Sequence, residues 1–289
     1  MRGADTGQAF PGLAGIDHSL VGVRNLEEAR ARFEGLGFTL TPRGRHIGWG
    51  SANYCIMFEA GYVELLGIVD PAQFTNGLDR FLVEREGLLG LAFATSDAVA
   101  LAASLSAAGL RPDGPKDLKR FLELPEGDAL PEFQLVFLPP EALPDLRGFF
   151  CGHLSPEILR RKAWLAHENG ARRLAGLTVA SDRPASLAEA YGWIFGAGAL
   201  RQSEGSLEIE TGGGRLSFLT PAALQARYGP IELPSYPRPW MAVQTIAVAD
   251  LERLAAVLRR RGHAPVAAEG RYLLPPEAAN GCLLEFIAD

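Results

Sequence analysis

The chain has 289 residues, of which 47% are hydrophobic and 21% are charged, and its net charge at pH 7 is -6. These proportions are typical of a globular protein with a substantial core. The negative net charge argues against nucleic-acid binding. The basic run Arg259–Arg261 does not change this, because it is predicted to end a helix, where cations are favoured by the helix dipole. No apolar run approaches the roughly 18 residues that a membrane helix requires, so no membrane partner is expected.

The N-terminus and the cysteines bear on the compartment. Residues 1–13 lack the apolar segment of a secretory signal and are predicted to form a flexible tail. The three cysteines, Cys55, Cys151 and Cys282, are far apart and odd in number, so they indicate no disulfide framework. We therefore expect a cytoplasmic protein.

One pattern recurs four times along the chain: an apolar strand, a polar cap, an amphipathic helix, a glycine and three short strands. Asn and Asp before a helical period, and Gly after it, are favoured at helix ends for physical reasons. The pattern predicts an α+β fold of four βαβββ modules. The expected caps are Asn25, Ser96 or Asp97, Asp182 and Asp250.

A single βαβββ module cannot bury both faces of its sheet, so the modules are expected to pair. Each pair should form a curled sheet with helices outside and a concave inner face. Residues 14–154 contain the first pair, 155–172 a predicted helical linker, and 173–289 the second pair. We expect the active site in the first pair and mainly scaffold in the second.

Two ionisable residues interrupt apolar strands of the first module. His18 shares a strand face with Ile16 and Leu20, and Glu64 shares one with Tyr62. A buried carboxylate needs a partner, and a histidine in a neighbouring strand of the same module is the simplest one. His and Glu are also common ligands of divalent metals. A hydrogen-bonded core pair and a metal site are both open interpretations.

Two longer motifs carry a family resemblance. The segments RGRHIGWGSAN (Arg43–Asn53) and HLSPEILRRKAWLAHENGA (His153–Ala171) resemble motifs of the glyoxalase-like domain family of the vicinal oxygen chelate superfamily. The resemblance covers the chain from about Gly15 onward. It implies the glyoxalase/bleomycin resistance/dihydroxybiphenyl dioxygenase fold. It also implies a divalent metal (Zn, Mn, Fe or Ni), with the first-strand and last-strand ligands of the superfamily carried over to His18 and Glu64.

The other modules do not repeat the first-strand histidine. The positions that match His18 are predicted to be Gly90, Ala175 and Val243, none of which can bind a metal. In the fourth module, Glu285 occupies the last-strand position that corresponds to Glu64, and we expect it to be a structural or dimer-side residue.

A third ligand is expected from the second module. His153 ends its last strand and is placed to reach the inner face of the first module. The resemblance therefore implies a metal site of His18, Glu64 and His153, a 2-His-1-carboxylate arrangement with open positions.

The motif loops supply candidate catalytic and substrate-binding residues. Glu64 and His46 are the candidate catalytic residues, with His46 as a proton shuttle, and Trp49, Asn53 and His167 are the candidate substrate-binding residues. A structural interpretation is also open, in which the loop glycines shape a tight turn, Trp49 covers the core and His167 ends the linker.

The resemblance implies a metalloenzyme that chelates and activates a small oxygenated substrate, by lyase, isomerase or dioxygenase chemistry. The alternative is a metal-free protein that binds or sequesters a small molecule on the same fold. A small-molecule substrate is the expected partner, and a homodimer is the assembly considered.

Overall fold

The computed structural model of the chain describes residues 9–289. Residues 1–8 of the predicted tail lie outside the described residues. Within residues 9–13 of that predicted tail, one side chain packs against the protein. Phe10 is buried and its amide donates to the carbonyl of Ile194, and the first strand begins at Leu13. Burial of this aromatic ring favours an ordered segment over a loose one.

The first half contains two βαβββ modules joined by a short helix. The first module consists of β1 (Leu13–Gly22), α1 (Leu26–Gly35), β2 (Gly44–His46), β3 (Ser51–Met57) and β4 (Tyr62–Ile68). Helix α2 (Leu78–Glu84) follows. The second module consists of β5 (Gly87–Thr95), α3 (Ala98–Ala107), β6 (Asp113–Leu122), β7 (Glu132–Phe137) and β8 (Gly148–His153).

The second half repeats this order after a linker of two single-turn helices, α4 (Pro156–Leu159) and α5 (Lys162–Leu165). The third module consists of β9 (Ala171–Ala180), α6 (Ala188–Phe195), β10 (Leu200–Ser203), β11 (Ser206–Glu210) and β12 (Arg215–Leu219). Helix α7 (Pro221–Tyr228) follows. The fourth module consists of β13 (Trp240–Val248), α8 (Leu251–Arg260), β14 (Val266–Ala268), β15 (Arg271–Leu274) and β16 (Leu283–Ala288).

Each half builds one eight-stranded sheet, so the predicted α+β fold of four βαβββ modules in two curled sheets is confirmed. The first sheet is a closed barrel in the order β1-β4-β3-β2-β6-β7-β8-β5, and the pairing of β2 with β6 closes it. The second sheet, in the order β10-β11-β12-β9-β13-β16-β15-β14, stays open. None of the helices within residues 9–289 combines the length and apolar character needed to cross a bilayer.

Helix capping explains why the repeat was visible in the sequence. The side chains of Asn25, Asp97 and Asp250 accept hydrogen bonds from amides in the first turns of α1, α3 and α8. Asp182 does not cap α6. A 3-10 turn at Pro184–Leu187 leads into that helix instead, and the Asp182 carboxylate pairs with Arg238.

A β-bulge in the first strand of every module positions the site. One extra residue interrupts the ladder between β1 and β5 at Asp17 and at Leu89, and the ladder between β9 and β13 at Ala175 and at Ala242. A bulge places two neighbouring side chains toward the same side and re-aims the strand. The residues that follow the four bulges are His18, Gly90, Gly176 and Val243.

The match to His18 in the third module is thus Gly176 rather than the predicted Ala175, because Ala175 is itself the extra residue. The predicted matches Gly90 and Val243 agree with the bulge positions. Two residues after His18, Leu20 of β1 pairs with Glu64 in β4, and two residues after Val243, Thr245 of β13 pairs with Glu285 in β16. The two carboxylates therefore occupy matching positions, as predicted.

The inner faces of the two sheets differ. In the open second sheet, Leu224 and Tyr228 of α7 pack into a cluster with Val243 and Leu283. The Tyr228 hydroxyl and the Thr245 hydroxyl both donate to Glu285, at 3.3 and 2.6 Å. The predicted structural role of Glu285 agrees with these contacts.

Candidate metal and substrate site

The site begins at the β1 bulge, which brings Asp17 beside His18. Both residues are buried. Asp17 Oδ2 lies 2.6 Å from His18 Nδ1 and 3.1 Å from His153 Nε2. Burial works to raise the pKa of Asp17, but the hydrogen bonds and charges of His153 and His18 lower it well below its usual range. The ionised carboxylate accepts from both rings. Asp17 thus engages Nδ1 of His18, and Nε2 of His18 is directed toward Glu64.

Glu64 lies opposite the free nitrogen of His18. Its Oε2 is 3.6 Å from His18 Nε2, and its Oε1 is 3.8 Å from His46 Nε2. Burial works to raise the pKa of Glu64, but the neighbouring His18, His46 and Arg120 and the hydrogen bond from Asn53 lower it below its ordinary value. Glu64 is consequently a carboxylate flanked by two imidazoles.

His46 is oriented in the same way as His18. Its Nδ1 lies 3.1 Å from Ser51 Oγ, so that its Nε2 faces Glu64. Burial lowers the pKa of His46, which favours the neutral ring that can bind a metal. The two histidines thus have one nitrogen hydrogen-bonded to the protein and the other directed at one carboxylate.

A buried guanidinium completes the site. Arg120, in β6, is only 2% exposed, and it donates to Asn53 Oδ1 and to Cys55 Sγ. Asn53 in turn donates to Glu64. Burial works to lower the pKa of Arg120, but the neighbouring Cys55, Tyr62 and Glu64 raise it above its ordinary value. Gly44 allows this contact, because a Cβ there would lie 2.1 Å from Asn53 Oδ1.

His18, His46, Glu64 and Arg120 form the polar part of the lining of a cavity of about 210 Å³ inside the barrel. Trp49 lines the cavity, where its ring contacts His46 and lies 5.2 Å from Phe74, edge to face. Tyr62 stacks on the His18 ring at 4.3 Å. The remaining wall is largely apolar and includes Leu20, Leu66, Leu89, Phe137 and Phe149.

The structure does not assemble the predicted ligand set of His18, Glu64 and His153. His153 is hydrogen-bonded to Asp17, which lies on the Nδ1 side of His18, and it does not line the cavity. Among residues 9–289, the one group of potential ligands whose donor atoms all lie within 4.8 Å is Asp17, Cys151 and His153. In that group, Asp17 Oδ2 already accepts from two imidazoles.

Two predicted substrate-binding residues have internal roles instead. Asn53 bridges Glu64 and Arg120, so its amide is engaged at both ends. His167 accepts from the Thr39 amide at 3.0 Å and donates to the Met57 carbonyl at 2.9 Å, away from the cavity lining. His167 therefore joins the linker to the first module and cannot reach a ligand in the barrel.

His167 should make the fold sensitive to acid. Burial lowers the pKa of His167 below its usual value of 6.5. As the pH falls, the imidazole is therefore protonated in the unfolded chain at a higher pH than in the folded chain. This contribution to stability is complete above pH 6.5 and decreases on acidification. We expect His167→Gln to reduce the loss of stability between about pH 7 and pH 5, as measured by urea unfolding. An unchanged pH dependence would contradict this role.

Sequence reasoning missed Asp17, Ser51 and Arg120. Regular alternation along β1 would place Asp17 on the face opposite His18. The bulge at Asp17 interrupts this alternation and brings the two side chains together. The same alternation that identified Glu64 could have identified Arg120, because Arg120 shares a strand face with Leu118 and Leu122. Ser51 had no distinguishing signal.

A barrel of paired βαβββ modules, with a histidine on the first strand and a glutamate on the last, defines the vicinal oxygen chelate superfamily as the class of this protein. Within that class, the family model described as "Glyoxalase-like domain" matches residues 16–195. The chain belongs to the glyoxalase-like domain family, as its two motifs predicted.

Solved structures agree on the fold. A hypothetical protein from Staphylococcus aureus matches with a TM-score of 0.68 and 13% identity, covering 95% of this chain and 99% of that one. A xylose isomerase-like TIM barrel/4-hydroxyphenylpyruvate dioxygenase fusion protein matches with a TM-score of 0.56 and 14% identity. There the match covers 96% of this chain but 49% of the fusion protein. No curated protein matches the chain in sequence.

Proposed function

We propose that the protein is a glyoxalase-like metalloenzyme that binds a divalent cation in the first barrel and acts on a small oxygenated substrate. The observation that carries the proposal is the orientation of two buried imidazoles. Both Nδ1 atoms are hydrogen-bonded, by Asp17 and Ser51, and both Nε2 atoms face Glu64. A histidine ligand whose other nitrogen is held by a carboxylate is a recurring feature of metal sites.

The donor set suits a divalent transition metal. His18, His46 and Glu64 form a 2-His-1-carboxylate set that leaves positions open for substrate. Each imidazole Nε2 lies within 4 Å of a Glu64 oxygen, but the donor atoms of the three residues do not all lie within 4.8 Å of one another, so they would have to move closer together to hold one ion. His46 takes the place that the sequence assigned to His153.

The chain's own residues complete the chemistry. A divalent metal held by His18, His46 and Glu64 would supply Lewis-acid chemistry to a substrate oxygen. Arg120, fixed through Asn53, adds a positive charge where negative charge develops on the substrate. Trp49 offers an aromatic face beside His46, and the apolar wall limits access of water. The second half of the chain supports this barrel.

The metal-free alternative has one observation in its favour. Arg120 already lies beside Glu64 and offsets its negative charge without a metal. A His–Glu–Arg network of this kind can bind a polar ligand directly. Metal binding by the purified protein separates the two proposals.

The identity of the third ligand gives the sharpest test. We expect His46→Gln to remove stoichiometric Zn, Mn, Fe or Ni, because it loses a ligand. His153→Gln should keep stoichiometric metal, with affinity weakened by no more than about tenfold, because it loses only a hydrogen bond to Asp17. Metal content after chelator-free purification, followed by calorimetric titration, measures both. Loss of metal in His153→Gln alone would restore the site of His18, Glu64 and His153, and no metal in the unsubstituted protein would favour the metal-free alternative.

A further inference from the structure

A second arginine lines the cavity at its opposite end. Arg147 precedes β8, and its carbonyl accepts from the Leu91 amide beside Gly90. Glu64, Leu20 and Gly90 lie side by side across β4, β1 and β5. Arg147 is therefore three strand spacings from Glu64, about 14 Å along the curved sheet. It also lines the neighbouring cleft of about 590 Å³ that contains Trp240 of the second half.

Arg147 has no acidic partner among residues 9–289 at salt-bridge distance. Its Nη2 donates to the Asn76 carbonyl at 2.6 Å, which holds the guanidinium at the cavity wall. Arg147 is exposed at the cavity wall, and the charge of the neighbouring Arg80 adds to the positive potential there. An arginine of this kind is suited to a carboxylate ligand, which it can bind through paired hydrogen bonds.

The wall between the two ends is apolar. Leu20, Leu89 and Phe149 line it between Glu64 and Arg147. Among the residues that line the cavity, Glu64 is the one carboxylate and Arg120 and Arg147 are the two arginines, and a divalent metal would add to this excess of positive charge. Such a surface favours a ligand that is anionic at one end and apolar in its middle part.

We propose that the substrate carries a carboxylate, separated by an apolar segment from the oxygens that react, and that Arg147 binds this carboxylate at the cavity mouth. The proposal rests on the proposed function, which places the reacting end at His18 and Glu64. It assigns Arg147 as a specificity-determining residue.

The test uses 3-phenylpropionate and its neutral amide, 3-phenylpropanamide, with chelator present, so that its outcome does not depend on metal. We expect the unsubstituted protein to bind the carboxylate at least about tenfold more tightly than the amide, as measured by ligand-observed NMR titration. Arg147→Gln should remove this preference and leave amide binding unchanged. Arg111→Gln, at an exposed arginine that pairs with Glu141, is the matched control and should keep the preference.

Three results would overturn the assignment: equal binding of the two probes, a preference that survives Arg147→Gln, or no carboxylate binding up to about 10 mM. The proposed function is tested separately by Zn titration with 3-(3,4-dihydroxyphenyl)propionate. A carboxylate preference without any effect of Zn would contradict the metal site and leave the role of Arg147 intact.

Discussion

Glu64→Gln is expected to weaken binding of a divalent metal by at least about 100-fold. Glu64 is the carboxylate that both imidazoles face, at 3.6 and 3.8 Å. The amide keeps the shape of the side chain but removes the negative charge. Calorimetric titration of the metal-free protein with Zn measures the effect.

Glu285→Gln is the matched control, because Glu285 occupies the same register position in the fourth module. Its carboxylate accepts from Tyr228 and Thr245, and Val243 stands where His18 would be. Metal affinity should be unchanged in this variant. Equal affinity in Glu64→Gln and the unsubstituted protein would place the metal elsewhere.

Arg120→Met is expected to lower the free energy of unfolding of the metal-free protein by about 3 kcal/mol. The substitution keeps an unbranched side chain at this position but leaves the buried carboxylate of Glu64 without its positive neighbour. A bound metal would supply that charge again. Zn should therefore raise the melting temperature of Arg120→Met more than that of the unsubstituted protein.

Arg43→Met provides the comparison. Arg43 pairs with Glu123 at 3.0 Å, but its side chain is 40% exposed, so its loss should cost no more than about 1 kcal/mol. Urea unfolding with chelator measures the free energies of all three proteins, and thermal unfolding with and without Zn measures their melting temperatures. A metal-free Arg120→Met as stable as the unsubstituted protein would show that Glu64 does not depend on the guanidinium.

Much of the fold was predictable because its signals are local. Asn25, Asp97 and Asp250 cap helices in the way their positions indicate, and the strands between them pair as repeated units. The closure of the first sheet was not predictable, because it depends on the pairing of the short strand β2 with β6. Contacts between segments so far apart leave no periodic signal.

The site was predictable in part. Alternation placed His18 and Glu64 on the inner face, and the two residues do lie within 3.6 Å of each other. Alternation failed at Asp17 because a bulge inserts one residue into β1. It follows that the sequence could not show that His153 bonds to Asp17 while His46 faces Glu64.

Anomalous diffraction from crystals grown with Zn or Mn tests the metal site most directly. We predict one strong peak in the first barrel, within bonding distance of His18 Nε2, His46 Nε2 and Glu64. A peak at Asp17, Cys151 and His153 instead, or no peak within the barrel, would contradict the assignment.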